Sequence, residues 1–271
     1  MNELLIGTSG YDYPEWKGVF YPLELKRKDF LSYYATKFNA LELNNTFYSM
    51  PTAQRLLSFY ERSEGKLNFS IKVNRLLTHE ITSSWQIAAN DFRTAVSPLM
   101  QKGNISALLF QLPESFHYTP DNRIYLSKLL AEFSGFPLFV EFRHKEWLRK
   151  SVFEGLNKIK SGLVFCDMPQ LKNLPDGKTM QTPFIGENTY IRLHGRNSDA
   201  WYAQDLHNNG SARYCYDYTD EELNLFKQLV ITTLKDGKKV QLFFNNHPNG
   251  KGALNGISLK EKLTHDNFFT R

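Results

Sequence analysis

The sequence predicts an α/β fold built from eight strand–helix repeats. Eight short runs rich in apolar residues are typical of buried strands, and segments with helical spacing of apolar residues separate most of them. Strands and helices that alternate in this way form right-handed βαβ units around a parallel sheet. Eight repeats favour closure, and the length of 271 residues fits a single (β/α)₈ barrel of the TIM type over residues 1–271.

The predicted strands are apolar runs that become polar towards their C-terminal ends. They cover Leu4–Ser9, Ala40–Phe47, Asn68–Asn74, Ala107–Pro113, Leu138–His144, Leu163–Pro169, Tyr190–Gly195 and Lys239–Asn246.

Helices are predicted where apolar spacing and capping residues agree. Thr52 can cap a helix that runs to Arg62, and Thr219 with Glu222 forms a capping box for a helix that ends near Gly237. The other predicted helices are Asp29–Phe38, a helix that begins at Asp121, Leu148–Ile159 and Leu254–Leu263.

Two segments lack a helical pattern. Gln170–Asn188 is rich in Pro, Gly and Asn, so we expect a loop there and an irregular sixth βα unit. A second long loop is predicted over Arg196–Tyr218.

Composition indicates a globular protein of mildly basic charge. The chain is 41% hydrophobic and 23% charged, with a net charge of +5, which permits an anionic ligand. Cys166 and Cys215 have no CxxC or zinc-type spacing, which fits a reducing compartment. No signal peptide or membrane-spanning run is predicted, so we expect the protein in the cytoplasm.

Polar residues interrupt strands that should be apolar on both faces. In the second strand, Glu42, Asn44 and Thr46 share a face opposite Leu41 and Leu43. The outer face must pack on helices, so the polar face is predicted to point into the barrel. The same alternation applies to Ser70, Lys72 and Asn74, to Glu141 and Arg143, and to Arg192 and His194.

These polar positions fall late in their strands, at the mouth where barrel enzymes place their active sites. The charges of Lys72, Arg143 and Arg192 (+3) are predicted to cancel those of Glu42, Glu141 and Asp167 (−3). Buried charges cost several kcal/mol each unless they are paired, so a mutually satisfied network is expected. Such a network would serve either catalysis or the stability of the barrel alone.

Five stretches resemble the DUF72 (YecE-like, UPF0759) family of TIM-barrel proteins. They are GTSGYDYPEWKGVFYP (7–22), ELNNTFYSMP (42–51), VEFRHKEW (140–147), YIRLHGR (190–196) and FFNNHPNGKGALNG (243–256). The blocks keep the family's order over nearly the whole chain, and the resemblance implies the same barrel fold. Ser49 stands where the family commonly has Arg, which removes a candidate anion contact. The resemblance carries no catalytic assignment, because the family's role is not established.

Four residues are the candidates for proton transfer: Glu42, Glu141, Asp167 and His194. Carboxylates whose environments separate their pKa values can act as acid and base, and histidine titrates near neutrality. The alternative is that the carboxylates only pair with the basic residues. His144 has the opposite parity to Glu141 and is predicted to cap or pack.

The candidates for substrate binding are basic, amide and aromatic side chains. Guanidinium and ammonium groups bind phosphates and carboxylates, and aromatic rings stack on sugars or bases. For the aromatic residues of the first loop, packing over the barrel rim is the commoner outcome. These candidates are Lys72, Arg143, Arg192, Arg196, Asn44, Asn74, Gln111, Asn245, Asn246, Tyr11, Trp16 and Tyr48. No cofactor and no metal is predicted, because no metal-ligand spacing occurs.

Three functions follow from these features. The first is an enzyme that acts by acid–base chemistry, hydrolysis or isomerisation, on a small anionic or polyhydroxylated metabolite. The second is a nucleic-acid or nucleotide-binding protein, against which the lack of a dense Lys/Arg stripe counts. The third is a non-catalytic scaffold with a purely structural polar interior.

Overall fold

Eight parallel strands form a nearly closed barrel with helices between them, a (β/α)₈ barrel of the TIM type. A computed structural model describes residues 4–176, 188–203, 211–266 and 268. The strands are β1 (Leu4–Thr8), β2 (Ala40–Leu43), β3 (Asn68–Lys72), β4 (Ile105–Gln111), β5 (Leu138–Glu141), β6 (Gly162–Asp167), β7 (Asn188–Leu193) and β8 (Lys239–Phe244).

The helices follow the strands around the barrel. They are α1 (Phe30–Lys37), α2 (Asn45–Tyr48), α3 (Ala53–Arg62), α4 (Arg75–Thr78), α5 (Trp85–Gln101), α6 (Pro120–Glu132), α7 (Lys150–Lys158), α8 (Asp220–Lys235) and α9 (Lys251–His265). Among the described residues, no helix is long and apolar enough to cross a bilayer.

The predicted helix caps are confirmed. Thr52 accepts a hydrogen bond from the backbone N–H of Arg55 at the start of α3. Thr219 and Glu222 make the reciprocal bonds of a capping box at the start of α8.

The barrel closes at a seam between β1 and β2, where side chains replace part of the strand ladder. The strands share one backbone bridge, from Ser9 to Glu42. Before that bridge, the Asn39 amide accepts a hydrogen bond from the Ile6 N–H (2.9 Å), and the Tyr34 hydroxyl accepts one from the Thr8 N–H (2.8 Å). Buried backbone groups at the seam are thereby satisfied without a full ladder.

The second strand is shorter than predicted. β2 ends at Leu43, and the chain turns into α2, so Asn44 and Thr46 do not continue an alternating strand face. Thr46 is buried and donates to the carbonyl of Lys72 (2.6 Å), which ties this helical turn to the end of β3.

The sixth unit lies partly outside the described residues. The predicted loop Gln170–Asn188 includes residues 177–187, which are not described, and residues 168–176 contain no helix. Of the predicted loop Arg196–Tyr218, residues 204–210 are not described, and Ser211–Tyr214 forms a 3₁₀ turn.

Candidate functional site

The guanidinium of Arg192 joins two buried carboxylates inside the barrel. Its Nε and Nη2 donate to the two oxygens of Glu42 (2.9 and 2.6 Å), and its Nη1 donates to Glu141 (2.5 Å). The three side chains are almost completely buried, and they come from β7, β2 and β5. Bidentate pairing of this kind is what allows charges to remain inside a protein.

Glu42 is fully occupied by hydrogen-bond donors. Besides the two bonds from Arg192, Ser9 donates to its Oε1 and Tyr190 donates to its Oε2, each at 2.6 Å. The Tyr190 hydroxyl also lies 2.6 Å from Ser70 Oγ. Four donors use the lone-pair positions of a carboxylate, so Glu42 holds its neighbours in place and has none left for a ligand.

Glu141 connects the core of this network to the mouth. Arg143 Nε donates to Glu141 Oε1, and Arg143 Nη2 lies 3.2 Å from His194 Nε2. The other ring nitrogen of His194 lies 2.8 Å from the side-chain amide of Asn245. Arg143 is the most exposed member, with 12% of its side chain accessible, and its guanidinium packs over the Trp201 ring.

The pKa shifts show which protonation states this arrangement holds. Burial would raise the pKa of Glu141, but the charges of Arg143 and Arg192 outweigh it and hold the pKa well below its usual range. Burial, reinforced by Arg143 and Arg192, lowers the pKa of His194 to about 3. At neutral pH the site therefore contains an ionised Glu141 and an uncharged His194.

Lys72, at the end of β3, is a basic side chain of the mouth that has no acidic partner among the described residues. Its ammonium lies 4.1 Å from the centre of the Phe47 ring, and no described residue makes a hydrogen bond or ion pair with it. Burial and the charge of Arg192 lower the pKa of Lys72 to about 7. Near neutral pH the amine is therefore divided between its charged and free-base forms.

Comparison with known proteins identifies the family. The family model described as "Protein of unknown function DUF72" matches residues 5–270. The chain belongs to the DUF72 family. YunF of Bacillus subtilis (strain 168), a UPF0759 protein, is 26% identical over 96% of this chain and 94% of its own length.

Two solved structures of DUF72 proteins share the barrel. A protein from Thermotoga maritima MSB8 has a TM-score of 0.85 and 30% identity, over 97% of this chain and 99% of that chain. A protein from Enterococcus faecalis V583 has a TM-score of 0.82 and 22% identity, over 96% of this chain and 95% of that chain.

Asp167 does not belong to the central network of this DUF72 protein, which corrects the predicted charge balance. It pairs with Arg196 (2.9 and 3.0 Å) and accepts a hydrogen bond from the Tyr218 hydroxyl (2.7 Å). Arg196 also donates to Glu222 at the start of α8 (2.7 Å). Gly195, with φ of +85°, turns the chain between His194 and Arg196, so the two residues point into different clusters. Asp167 and Arg196, which we call the rim pair, therefore neutralise each other outside the central network.

Three of the predicted binding amides make local structural contacts, and a fourth, Asn44, lies at a helix start. Asn74 caps α4 and donates to the Thr46 carbonyl, and Gln111 donates to the carbonyl of Leu112. Asn246 is fully buried, and its amide donates to Asn255 and to the Tyr216 carbonyl. Asn44 precedes α2, and its buried Oδ1 has no hydrogen-bond partner among the described residues.

The aromatic residues of the first loop pack in the manner of a core. Tyr11 is buried against Tyr34 and Phe59, and Trp16 is fully buried with its indole N–H donated to the His247 carbonyl (2.8 Å). Tyr48 differs, because 70% of it is exposed. His144 caps the 3₁₀ turn Lys145–Trp147, which agrees with its predicted capping role.

Several residues of the site were missed from the sequence. Tyr190 lies two residues before Arg192 in β7, on the same face of the strand, so strand alternation could have predicted its position. Trp201 and Tyr214 lie in the long loop after β7, and their rings stand 6.3 and 5.9 Å from that of His194. Because no periodicity applies to a loop, only the structure places these two rings over the mouth.

The buried donors near His194 do not fit a metal ion. Glu141, Cys166 and His194 bring one ligand-type atom each within 4.8 Å of one another. However, Arg143 and Arg192 occupy the oxygens of Glu141 and repel a cation. Burial, reinforced by Glu141, raises the pKa of the Cys166 thiol well above its usual range, so it remains protonated and is a poor ligand.

A cleft of about 450 Å³ with a mixed polar and apolar lining opens at the other end of the barrel, where the strands begin. It is lined by Asn68, Ser106, Asn188 and Gln241, among other residues. Residues at this end of such barrels serve stability, whereas catalytic residues lie at the C-terminal ends. We therefore place the candidate site at the mouth that contains Lys72 and Arg143.

Proposed function

We propose that this DUF72 protein is a cytoplasmic enzyme that binds a small anionic or polyhydroxylated metabolite at the C-terminal mouth of the barrel. It acts on the metabolite by acid–base chemistry, as a hydrolase or an isomerase. One observation carries the proposal: three basic side chains, Lys72, Arg143 and Arg192, face two carboxylates, Glu42 and Glu141, and Lys72 is left without an acidic partner. Because buried charge requires compensation, an anionic ligand completes this site.

Arg143 and Lys72 are the groups best placed to meet such a ligand. Arg192 already binds both carboxylates. Arg143 is partly exposed, and its Nη1 has no hydrogen-bond partner among the described residues. Lys72 is also partly exposed, next to Phe47. A small anion fits these contacts better than a nucleic-acid backbone, because the cations converge inside the barrel.

Lys72 is the proposed proton-transfer group, in preference to Glu42. A general base or acid works best with a pKa near the operating pH, and the pKa of Lys72 is lowered to about 7. Glu42 is saturated by donors, and Asp167 is paired at the rim. Glu141 and His194 are placed less well than Lys72, because both are buried and hydrogen-bonded within the protein, His194 through each of its ring nitrogens.

Anion binding should depend on pH through Lys72. The charged groups that act on its amine are Arg192, Glu141, Arg143 and Glu42. The pKa of Glu141 is held well below its usual range, and the pKa values of Arg143 and Arg192 are raised, so these three groups keep their charge between pH 6 and 9. His79 lies nearby, and burial with Lys72 lowers its pKa to about 4. A bound anion favours the ammonium form, so affinity is highest below pH 7 and falls by up to about tenfold per pH unit above it.

The test uses sulfate, which does not titrate in this range. Isothermal titration calorimetry at pH 6 and pH 9 should show weaker sulfate binding at pH 9 for the natural protein. Lys72→Met should bind sulfate weakly at both pH values. Lys26→Met removes an exposed lysine and should behave as the natural protein. Sulfate binding that is undetectable, or equal at both pH values, would overturn the proposal.

The catalytic part of the proposal is tested by turnover. A panel of small carboxylated and phosphorylated metabolites is screened by NMR for hydrolysis or isomerisation. For any substrate found, Lys72→Met should lower kcat by at least about 100-fold, as expected for loss of a general acid or base. Retained activity in a folded Lys72→Met protein would exclude Lys72 from proton transfer.

A further inference from the structure

The environment of Lys72 differs from that of a lysine that only stabilises a barrel. An ammonium removed from water costs several kcal/mol unless it is paired. Yet the two neighbouring carboxylates are already occupied, Glu42 by four donors and Glu141 by Arg143 and Arg192. Lys72 is left with the face of the Phe47 ring, 4.1 Å away.

This environment favours the free amine. The nitrogen lies over an apolar ring, and burial together with the charges of Arg192 and Arg143 disfavours the ammonium more than Glu141 and Glu42 favour it. A lysine that is desolvated or placed next to another cation is the form that attacks carbonyl carbon, because only the uncharged amine has a lone pair. The side chain of Lys72 is half-buried and is not sealed in the core as Glu42, Glu141 and Arg192 are.

We propose that Lys72 Nζ forms an imine with a small anionic aldehyde or ketone bound at the mouth, with Arg143 holding the anionic group. This inference rests on the anion site of the proposed function and narrows its substrate to carbonyl compounds. It gives Lys72 the role of nucleophile in place of general acid or base. It also favours isomerisation over hydrolysis, because an iminium carbon draws electrons and acidifies the C–H bond beside it.

The step balances without an added oxidant or reductant. The nitrogen lone pair forms a C–N bond as the carbonyl π pair moves to oxygen, which takes up a proton. That proton comes from nitrogen, and a second proton taken up from solvent lets the C–O bond break with loss of water. The lone pair left on nitrogen forms the C=N bond, and the product is a protonated imine that keeps one N–H. A protonated imine has the same charge as the ammonium it replaces, so the anionic group of the substrate compensates the cation surplus of the site.

The experiment traps the imine in the natural protein. Glyoxylate is added at pH 7 with sodium cyanoborohydride, which reduces an imine to a stable secondary amine, and modified lysines are located by peptide mass spectrometry. We expect Lys72 to be modified at least tenfold faster than the exposed Lys26 of the same chain, which serves as an internal control. Equal rates at the two lysines would overturn the imine inference, and no variant has to fold for this comparison.

Sulfate binding, measured beside the modification of Lys72, distinguishes failure of the imine inference from failure of the proposed function. If sulfate binds with the expected pH dependence but Lys72 is not modified preferentially, the imine inference fails and the anion site stands. If Lys72 is modified preferentially and sulfate neither binds nor slows the reaction, the amine is nucleophilic but the anionic substrate class is wrong. Preferential modification that sulfate slows at least threefold supports both.

Discussion

Arg192 is the residue on which the central network depends most. Its guanidinium is buried and takes both of its acidic partners from other strands, Glu42 from β2 and Glu141 from β5. Loss of one partner leaves part of a buried charge uncompensated, which is more costly than the loss of a pair at the surface.

Glu42→Gln should therefore lower the free energy of unfolding by about 3–5 kcal/mol, the usual cost of breaking a buried pair. Denaturant unfolding followed by circular dichroism measures the change. Asp12→Asn is the matched control, because Asp12 pairs with Arg27 at the surface, also through two hydrogen bonds, and should change stability little. Equal effects of the two substitutions would mean that the interior of the barrel admits enough water to solvate Arg192.

Lys72 makes a second residue-scale prediction, on the pH dependence of stability. Its pKa is about 7 in the folded protein and 10.5 is the ordinary value, so between these values the unfolded chain binds more protons. The contribution of Lys72 is therefore constant and unfavourable below pH 7, and it becomes less unfavourable as the pH rises towards 10.5. The slope is at most about 1.4 kcal/mol per pH unit.

Unfolding of the natural protein and of Lys72→Met is compared from pH 6 to pH 10 in a buffer without oxyanions. Other groups titrate equally in both proteins, so the difference isolates Lys72. The free energy of unfolding of the natural protein should rise relative to that of Lys72→Met only above pH 7. A constant difference over the whole range would show that Lys72 keeps an ordinary pKa.

At the scale of elements, the sequence predicted the strands better than their ends. Alternation places Glu42, Glu141 and Arg192 on the inner faces of their strands, where the structure has them in contact. It fails after Leu43, because Asn45–Tyr48 is helical, and after His194, because Gly195 adopts positive φ. Periodicity describes a strand only while the backbone stays extended, so residues beyond the last ladder bond need coordinates.

Helix α8 supports the rim pair of Asp167 and Arg196, because Glu222 belongs both to its capping box and to the Arg196 contact. Thr219→Ala removes the cap and should cost about 0.5–2 kcal/mol of stability, measured by urea unfolding. Thr232→Ala replaces an exposed threonine of the same helix away from the cap and should have a small or slightly stabilising effect. A Thr219→Ala cost no larger than that of Thr232→Ala would show that the first turn of α8 is fixed by tertiary contacts alone.

At the scale of the whole molecule, convergence of charge at the mouth could be predicted, but its balance could not. The sequence counts Asp167 with Glu42 and Glu141, whereas in the structure Asp167 is neutralised by Arg196 at the rim. Pairing is decided by distances between side chains from different strands, which no single strand encodes. The surplus cation that suggests a ligand is thus a property of the closed barrel.

Closure itself depends on the seam between β1 and β2, and Gly7 is the residue that permits it. A Cβ atom at this position would stand 2.0 Å from the Ala40 carbonyl oxygen, a backbone atom that cannot move aside cheaply. Gly7→Ala should therefore separate the two strands and destabilise the fold by at least about 3 kcal/mol. Gly155→Ala is the matched control: it lies in α7, nothing stands within 4 Å of its added Cβ, and it should gain up to about 1 kcal/mol.

Thermal unfolding of the two variants tests whether the fold requires the close approach of β1 and β2 at Gly7. A lower Tm for Gly7→Ala together with an unchanged or higher Tm for Gly155→Ala is the expected pair of results. The seam also sets the position of Ser9, which donates to Glu42, so Gly7→Ala should weaken sulfate binding even where the protein remains folded. A Gly7→Ala protein as stable as the natural one would mean that β1 and β2 can move apart without cost, and that the barrel does not need this seam to hold its charged centre.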